Sequence, residues 1–208
     1  MTGLLHLVRH GQTTANVAKI LDTRPPGAPL TPEGVEQARR FGTERPGAAP
    51  AVLLSSVARR AQQTAGHIAE AWGVPTAVID GVHEVQAGDL EGFNDEDSIK
   101  VFQDVVRRWY DGEPTAAMPG GESAEDLLAR YLPAVENIRT EHLRHGDAYL
   151  VSHGAAIRLV GFHLSGVDGA YAHRHHLPNT GEIVLRPVEA GWELVSWADA
   201  PSHLDPMG

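Results

Sequence analysis

Short runs of apolar residues alternate along the chain with longer stretches in which apolar residues recur at every third or fourth position. The short runs predict strands buried on both sheet faces, because such strands leave no solvent-facing side for polar residues. The longer stretches predict helices that bury one face. Strands alternating with helices predict an α/β fold with three layers, α/β/α, and a mainly parallel central sheet. The runs that predict strands are 3–8, 52–54, 77–79 and 149–151.

Capping residues mark the starts of two helices. Thr31 predicts an N-cap, since Pro32 follows at the first helical position and Glu33 adds an acid in the first turn. The helix that they open is predicted to extend to Phe41. Ser123 predicts the start of another helix. The residues that predict the apolar face of this helix are Leu127, Tyr131, Val135 and Ile138.

The chain, 1–208, is predicted to form a single domain with one insertion. Glycine and proline are frequent in 80–122, which predicts an insertion that shapes the substrate pocket. Acidic residues favour a helix start within it, so one helix is predicted over 95–110. Near the C-terminus, 183–185 and 192–197 predict two strands joined by a turn, at an antiparallel edge of the sheet.

Composition narrows the classes of function. The chain has no Cys, which excludes disulfides and every mechanism with a cysteine nucleophile. Its net charge of −10 opposes binding to nucleic acid and to anionic membranes, so neither is predicted as a partner. No apolar stretch approaches the roughly 20 residues that span a bilayer, and none resembles a signal-peptide core, which predicts a cytoplasmic protein.

The tripeptide Arg-His-Gly occurs twice, at 9–11 and at 144–146. The second copy follows an amphipathic helix, and Gly146 is predicted to end that helix in the left-handed conformation. Its Arg and His would then be cations of the last turn, where they stabilise the helix dipole. The first copy follows the C-terminal end of a predicted strand, where open parallel sheets bind ligands. The first copy is therefore the predicted functional one.

Further polar side chains follow predicted strands in the same way. The stretches SSVARRAQQTA at 55–65 and VSHGAAIR at 151–158 come directly after, or at the end of, apolar runs, and HEVQAGDLEG lies at 83–92. The carboxyl ends of parallel strands lie at one edge of the sheet, so their side chains should meet there. The residues predicted to meet are Arg9, His10, Arg60 and His153.

Two Arg and two His with no acid among them predict a pocket for a doubly charged anion, most naturally a phosphoryl group. One imidazole can attack phosphorus in line, while the Arg pair and the other His hold the equatorial oxygens. The leaving alkoxide needs a proton, and Glu84 is the carboxyl group placed to supply it.

These motifs, taken in order, resemble those of the histidine phosphatase superfamily, also called phosphoglycerate mutase-like, and in particular its phosphatase branch. The resemblance covers most of the chain. The matching positions are 9–11 with Asn16, Ser55, Ser56, Arg60, Ala61, Thr64, Ala65, Glu84, Gly88, Glu91, Gly92, 119–123 and 152–154.

The resemblance implies that His10 becomes phosphorylated and that Glu84 is the proton donor, with no metal and no cofactor. It implies a phosphate site formed by Arg9, Asn16, Arg60, His153 and Gly154. Members of the family often have Pro-Leu where this chain has Val57-Ala58. Counting back from 61–65 then selects Arg60 as the catalytic arginine, and Arg59 should point about 100° away on the helix.

Several polar residues have simpler interpretations as well. Asn16 could close a turn or cap the short segment after Gly11, and Arg158 could be an indirect charge behind the site or a surface residue. Histidines are also concentrated near residue 175, but no Cys or paired carboxylate accompanies them, which favours a solvated loop over a metal site. The histidines concerned are His173, His175 and His176.

The sequence thus predicts a metal-independent phosphomonoester hydrolase that acts on a small phosphorylated metabolite through a phosphohistidine. Two alternatives are a cofactor-dependent mutase of the phosphoglycerate mutase type and a phospho-ligand binding module without turnover. Glu84 argues against the binding module, because a pure binder has no use for an acid that faces an anion. Few long cations occur in 81–121, which favours hydrolysis over transfer. The substrate, the pathway and the formation of a homodimer are left open.

Overall fold

The computed structural model describes residues 3–198. It contains a six-stranded sheet in the order β3-β2-β4-β1-β5-β6. β1 to β4 are parallel to their neighbours among themselves, and β5 lies antiparallel to both β1 and β6. The strands are β1 Leu5–Arg9, β2 Val52–Ser56, β3 Ala77–Ile79, β4 Ala148–Ser152, β5 Glu182–Val188 and β6 Gly191–Trp197.

Helices cover both faces of this sheet, which confirms the predicted three-layer α/β/α fold. The second and third helices pack on one face, where Phe41 and Ile68 meet Val8 of β1. The later helices cover the other face, where Tyr131 and Ile157 belong to the same core as Leu7. The helices are α1 Thr14–Ala18, α2 Pro32–Thr43, α3 Arg59–Trp72, α4 Glu96–Tyr110, α5 Ala124–Glu141, α6 Gly154–Ser165 and α7 Gly169–Arg174, and a short 3-10 turn spans Gly88–Leu90.

Both predicted N-caps are confirmed. The hydroxyl of Thr31 accepts a hydrogen bond from the backbone N–H of Gly34, and Pro32 opens α2. At α5, the Ser123 hydroxyl accepts from the N–H of Asp126, whose side chain bonds back to the Ser123 backbone. These bonds satisfy amide groups that a helix start leaves without intrahelical partners. The predicted apolar face of α5 is buried.

The predictions for one strand, β3, and for the end of one helix, α5, were wrong. β3 was expected to be buried, but it is the outer strand of the sheet and pairs with β2 alone, so Val78 is 51% exposed. The helix α5 ends at Glu141 with a right-handed residue after it, so Gly146 does not end that helix, although its φ is 148°. The reason is that Leu143 is fully buried and its carbonyl accepts from the N–H of Gly3, which docks the turn onto the sheet.

The second Arg-His-Gly copy therefore lies in an exposed turn and not in the last turn of a helix. It precedes the N-terminal end of β4, whereas the first copy follows the C-terminal end of β1. Because β1 and β4 are parallel, the two copies are at opposite edges of the sheet.

The two predicted C-terminal strands are confirmed as β5 and β6. Within residues 3–198, none of the helices is long and apolar enough to cross a bilayer.

Candidate active site

Two histidines stand side by side where neighbouring parallel strands end. Arg9, the last residue of β1, is in register with Ser152, the last residue of β4. His10 and His153 follow directly, and their ring centroids are 5.3 Å apart. The N–H of His10 donates to the carbonyl of Ser152 at 3.0 Å, which ties the two strand ends together. The parallel register alone therefore brings the two imidazoles to one place.

Arg60 joins these histidines from the first turn of α3. Its Nε lies 3.1 Å from His10 Nε2 and 3.2 Å from His153 Nδ1. A single N–H cannot point fully at both nitrogens at once. Arg60 is buried, whereas the neighbouring Arg59 is exposed, as the helical offset predicts.

His10 is held in one orientation and one tautomer. Its Nδ1 lies 2.8 Å from the carbonyl oxygen of Gly11. A carbonyl only accepts, so Nδ1 carries the proton and Nε2 keeps the lone pair that faces Arg60. Burial, followed by the charges of Arg60 and Arg9, lowers the pKa of His10 well below its ordinary value. The ring is therefore neutral and nucleophilic at neutral pH.

His153 is buried and has a polar partner on each side. Its Nε2 lies 2.8 Å from the hydroxyl oxygen of Ser56, the last residue of β2. Burial and the charge of Arg60 lower the pKa of His153 well below its usual range, with a smaller effect from His10. A neutral His153 has one ring proton, so its tautomer decides which side of the ring can donate.

Glu84 approaches the same site from the segment after β3 and is buried. One carboxylate oxygen accepts from the N–H of Val85 at 2.8 Å and of Ala156 at 2.9 Å, and the other accepts from Ala155 at 3.1 Å. Burial raises the pKa of Glu84, opposed by the Val85 bond first and then by the charge of Arg60. The carboxyl group thus sits at the N-terminus of α6 with a proton affinity above that of an exposed acid.

Arg9 reaches the site beneath the start of α6. Its Nη1 donates to the carbonyl of Leu177 at 2.6 Å, which holds the buried guanidinium in place. Gly154 begins α6 against this side chain, and a Cβ on Gly154 would lie 3.1 Å from Arg9 Nε. The glycine therefore permits the close approach of helix and guanidinium.

Asn16 has the capping role that the sequence allowed, and its place at the pocket keeps phosphate binding as a prediction. Its side chain accepts from the N–H of Thr13 at 3.0 Å, which caps α1, and it also borders the pocket. The pocket is the narrow space between the strand ends and α1. Its lining residues are Arg9, His10, Thr13, Ala15, Asn16, Ile20, Asp22, Arg60, Glu84 and Gly154.

This chain matches the sequence profile of the histidine phosphatase superfamily (branch 1) over residues 5–200. It belongs to that superfamily. The match spans every strand of the sheet and each residue of the site described above. With phosphatases among its structural neighbours, the chain is an enzyme of the histidine phosphatase class.

Relatives within the family carry more than one activity in their names. A 2,3-bisphosphoglycerate-dependent phosphoglycerate mutase of Chelativorans sp. (strain BNC1) is 35% identical over 89% of this chain and 93% of its own length. A PE-PGRS family protein of Mycobacterium tuberculosis is 29% identical over 95% of this chain, which spans only 37% of that protein. Mycobacterial glucosyl-3-phosphoglycerate phosphatase, solved with VO3, superposes with a TM-score of 0.80 at 26% identity and covers 96% of this chain and 100% of its own.

An acid that the sequence did not indicate lies inside the histidine phosphatase pocket. Asp22 lies 3.3 Å from Nη1 of Arg60 and also accepts from the N–H of Ala28 at 2.8 Å. The sequence predicted a set of cations with no acid among them, and Asp22 shows that this prediction was wrong. No local signal points to Asp22, because it lies in an irregular segment between α1 and α2 that only the tertiary fold lays over Arg60.

Two supporting hydroxyls were not recognised as such either. Thr64 accepts from the N–H of Gly11 at 3.0 Å and donates to the carbonyl of Arg60 at 2.8 Å, so it links α3 to the His10 loop. Its spacing of four from Arg60 places it on the same helix face, which was an available signal. Ser56, the partner of His153, could be placed at a strand end, but its contact could not be predicted.

Arg158 and the histidines near residue 175 belong to the scaffold behind the pocket. Arg158 is buried and its Nη2 donates to the carbonyls of Ala172 and His173, each at 2.9 Å. The sequence predicted a solvated loop for these histidines. The structure instead places them within and just after α7. The ring of His175 stacks on Tyr171, and His176 Nδ1 lies 3.2 Å from Arg158 Nη1. In the described part of the chain, no group of three or more His, Asp or Glu is arranged to hold a metal ion.

Proposed function

We propose that this enzyme hydrolyses phosphomonoesters of a small phosphorylated metabolite through a phosphohistidine at His10, without a metal. The observation that carries the proposal is the state of His10. Its Nδ1–H is held by the Gly11 carbonyl, and its Nε2 lone pair faces the cleft between Arg60 and Glu84. A buried, neutral and oriented imidazole beside two guanidinium groups fits nucleophilic attack on phosphorus.

In the first step, Nε2 of His10 attacks phosphorus and forms the P–N bond while the ester P–O bond breaks. Arg9 and Arg60 neutralise the charge on the phosphoryl oxygens, with His153, Asn16 and the Gly154 amide as further ligands. The leaving oxygen takes the proton of Glu84, whose raised pKa favours the protonated acid.

In the second step, the Glu84 carboxylate accepts a proton from water as the water oxygen attacks phosphorus. The P–N bond breaks, inorganic phosphate leaves, and His10 regains its Nε2 lone pair. The positive charges that this chemistry needs come from side chains of the protein itself, since phosphoryl transfer depends mainly on positioning and electrostatics.

Hydrolysis is favoured over mutase transfer by the segment 80–122, which we propose shapes the pocket for the leaving group. Its long cations Lys100, Arg107 and Arg108 are all exposed on α4. Arg107 pairs with Asp111 at 2.7 Å and Arg108 with Glu113 at 2.6 Å. A mutase must hold a doubly anionic substrate while it reorients and must exclude water, which calls for a second cationic site and a closed pocket. The mutase remains the alternative because a relative carries that name.

Labelling of the phosphoenzyme tests this proposal. Wild-type protein is incubated briefly with ³²P-labelled substrate in the presence of a chelator and quenched without acid, because phosphohistidine is acid-labile. We expect label on the wild type and on His145→Ala, and none on His10→Ala, which should also lose turnover by several orders of magnitude. The His145 variant is a matched control from the exposed Arg-His-Gly copy. Label that survives in His10→Ala would contradict the proposal.

A further inference from the structure

Ser56 is the hydrogen-bond partner of His153 Nε2 within residues 3–198. It ends β2, is fully buried, and places its hydroxyl oxygen 2.8 Å from Nε2 of His153. On the opposite side of the ring, Nδ1 lies 3.2 Å from Nε of Arg60, the group between the two histidines. Nδ1, and not Nε2, is therefore the His153 nitrogen on the side of Arg60, which lines the pocket where the phosphoryl group is proposed to bind.

The direction of the Ser56 hydroxyl proton and the tautomer of His153 are linked, because the two groups share one hydrogen bond. The N–H of Ala58 donates to the Ser56 oxygen at 3.2 Å, which occupies one lone pair and limits where the hydroxyl can turn. Among the described residues, the acceptor within hydrogen-bond distance of this buried hydroxyl is His153 Nε2. A buried hydroxyl without an acceptor costs free energy, so the proton belongs on that bond.

The Ser56 hydrogen bond fixes which ring nitrogen of a neutral His153 carries the proton. If Ser56 donates to Nε2, that nitrogen carries a lone pair, and the single proton of the neutral imidazole must sit on Nδ1. Nδ1–H and the Nε–H of Arg60 are then two donors 3.2 Å apart on the same side of the cleft. Two adjacent donors repel each other unless an acceptor lies between them, and an oxygen of a phosphoryl group can accept from both.

We propose that Ser56 is a positioning residue that keeps His153 in the tautomer with its proton on Nδ1, so that His153 donates to the phosphoryl group. The inference rests on the proposed function for the identity of the anion. Without the hydroxyl, the His153 proton can move to Nε2, and Nδ1 then becomes an acceptor for the Nε–H of Arg60. The bound phosphoryl group loses the His153 donor and shares the Arg60 Nε–H with Nδ1.

The neighbouring Ser55 supplies a matched control. It is buried in the same strand, but its hydroxyl has no hydrogen-bond partner among the described residues. Ser55→Ala thus removes a buried hydroxyl from β2 without touching His153. Ser56→Thr keeps a hydroxyl at position 56 and tests whether the hydroxyl is the group that matters.

Three measurements test the proposal on the full-length wild type, Ser55→Ala, Ser56→Ala and Ser56→Thr. The first is the dissociation constant of inorganic phosphate and of vanadate, measured by calorimetry. The second is kcat and KM for p-nitrophenyl phosphate, and the third is ¹⁵N NMR of the imidazoles with phosphate bound, with His153 assigned by His153→Gln. Thermal melting of each variant shows whether it is folded.

For Ser56→Ala we expect phosphate and vanadate to bind roughly 10- to 100-fold more weakly, the loss expected for one hydrogen bond to a charged group. We expect Ser55→Ala to bind like the wild type, Ser56→Thr to recover most of the affinity, and the His153 proton to move from Nδ1 to Nε2 in Ser56→Ala. A wild-type complex with the proton on Nε2, or a Ser56→Ala variant that matches Ser55→Ala in affinity, would overturn the proposal. If the wild type binds phosphate but turns over no phosphomonoester, the proposed hydrolysis fails while the binding and NMR data still judge Ser56.

Discussion

At the scale of single residues, the surroundings of the proposed acid, Glu84, and the proposed nucleophile, His10, shift their pKa values in opposite directions. His10 and Glu84 are both buried, and burial disfavours the charged form of each, so it lowers the pKa of the histidine and raises that of the carboxylic acid. Burial thus moves the pKa of His10 down and the pKa of Glu84 up. Opposite shifts of this kind are what general acid catalysis beside a nucleophile requires.

Replacing the acid should affect substrates according to their leaving groups. Glu84→Gln removes the proton source but keeps the size of the side chain. We expect kcat/KM to fall roughly 10²-fold or more for an alkyl phosphate such as glycerol 3-phosphate, and clearly less for p-nitrophenyl phosphate, whose leaving group hardly needs a proton. Steady-state kinetics with both substrates measures the difference. Equal losses on the two substrates would mean that Glu84 only positions the substrate.

At the scale of elements, the ends of strands and helices hold the groups that we propose to be catalytic. The ends of β1 and β4 hold the two histidines, the first turn of α3 holds Arg60, and the N-terminal amides of α6 hold Glu84. Rigid elements with their own cores place these ends more accurately than loops would. The long helix α5 contributes from behind, because the Tyr131 hydroxyl donates to Ser152 at 2.9 Å.

The cap of α5 should matter for stability and little for chemistry. Ser123→Ala removes the hydroxyl that accepts from the N–H of Asp126 at 3.2 Å. We expect the free energy of unfolding to fall by about 1 kcal/mol, the usual effect of losing an N-cap. Urea denaturation gives this value, and Thr115→Ala, at an exposed position before the helix, serves as the control. An unchanged midpoint of unfolding in Ser123→Ala would show that the capping box does not stabilise α5.

At the scale of the whole molecule, the fold keeps His10 and His153 neutral at a cost that depends on pH. The pKa of each is lowered in the folded protein, whereas it is near 6.5 in the unfolded chain. The unfolded chain therefore binds protons below pH 6.5 that the folded protein does not bind, so stability is retained above that pH and lost as the pH falls. Below it, each histidine should lower the free energy of unfolding by about 1.4 kcal/mol per pH unit.

Denaturation at several pH values tests this linkage. Urea unfolding of the wild type and of His10→Gln is compared between neutral pH and a pH about one unit below the ordinary histidine value. We expect the wild type to lose more stability over this interval than the variant does, by about 1 kcal/mol, because Gln does not titrate. Parallel losses in the two proteins would mean that His10 takes up a proton in the folded state.

The choice between hydrolysis and transfer also belongs to the whole molecule, since it depends on what surrounds the phosphate site. With the long cations of α4 exposed and paired with acids, we expect free phosphate as the main product from any good substrate. 3-Phosphoglycerate should be interconverted poorly even when the enzyme is primed with 2,3-bisphosphoglycerate. Product analysis of the primed reaction measures both outcomes. Rapid exchange between 3- and 2-phosphoglycerate with little release of phosphate would make the mutase the better proposal.

Much of the fold was predictable because its central elements have strong one-dimensional patterns. β1, β2 and β4 are buried between two helical layers, so most of their residues before the polar C-terminal ends are apolar, and α5 repeats its apolar residues with the period of a helix. The predictions of strand burial and helix length were wrong where neighbouring elements in the fold determine them. β3 has the same apolar composition but lies at the edge, and α5 ends earlier than its glycine suggested because the burial of Leu143 sets the turn.

For the site, the amino-acid sequence by itself determined which reactive residues stand at strand ends, and helical periodicity distinguished Arg60 from Arg59. Only the tertiary structure decided how the groups are paired: Arg60 between the two histidines, Ser56 behind His153, and Asp22 on Arg60. The physical reason is the separation along the sequence of the residues that make contact. Burial patterns and helix periods are local properties of the chain, whereas these contacts join residues from 38 to 97 positions apart and depend on strand order and register.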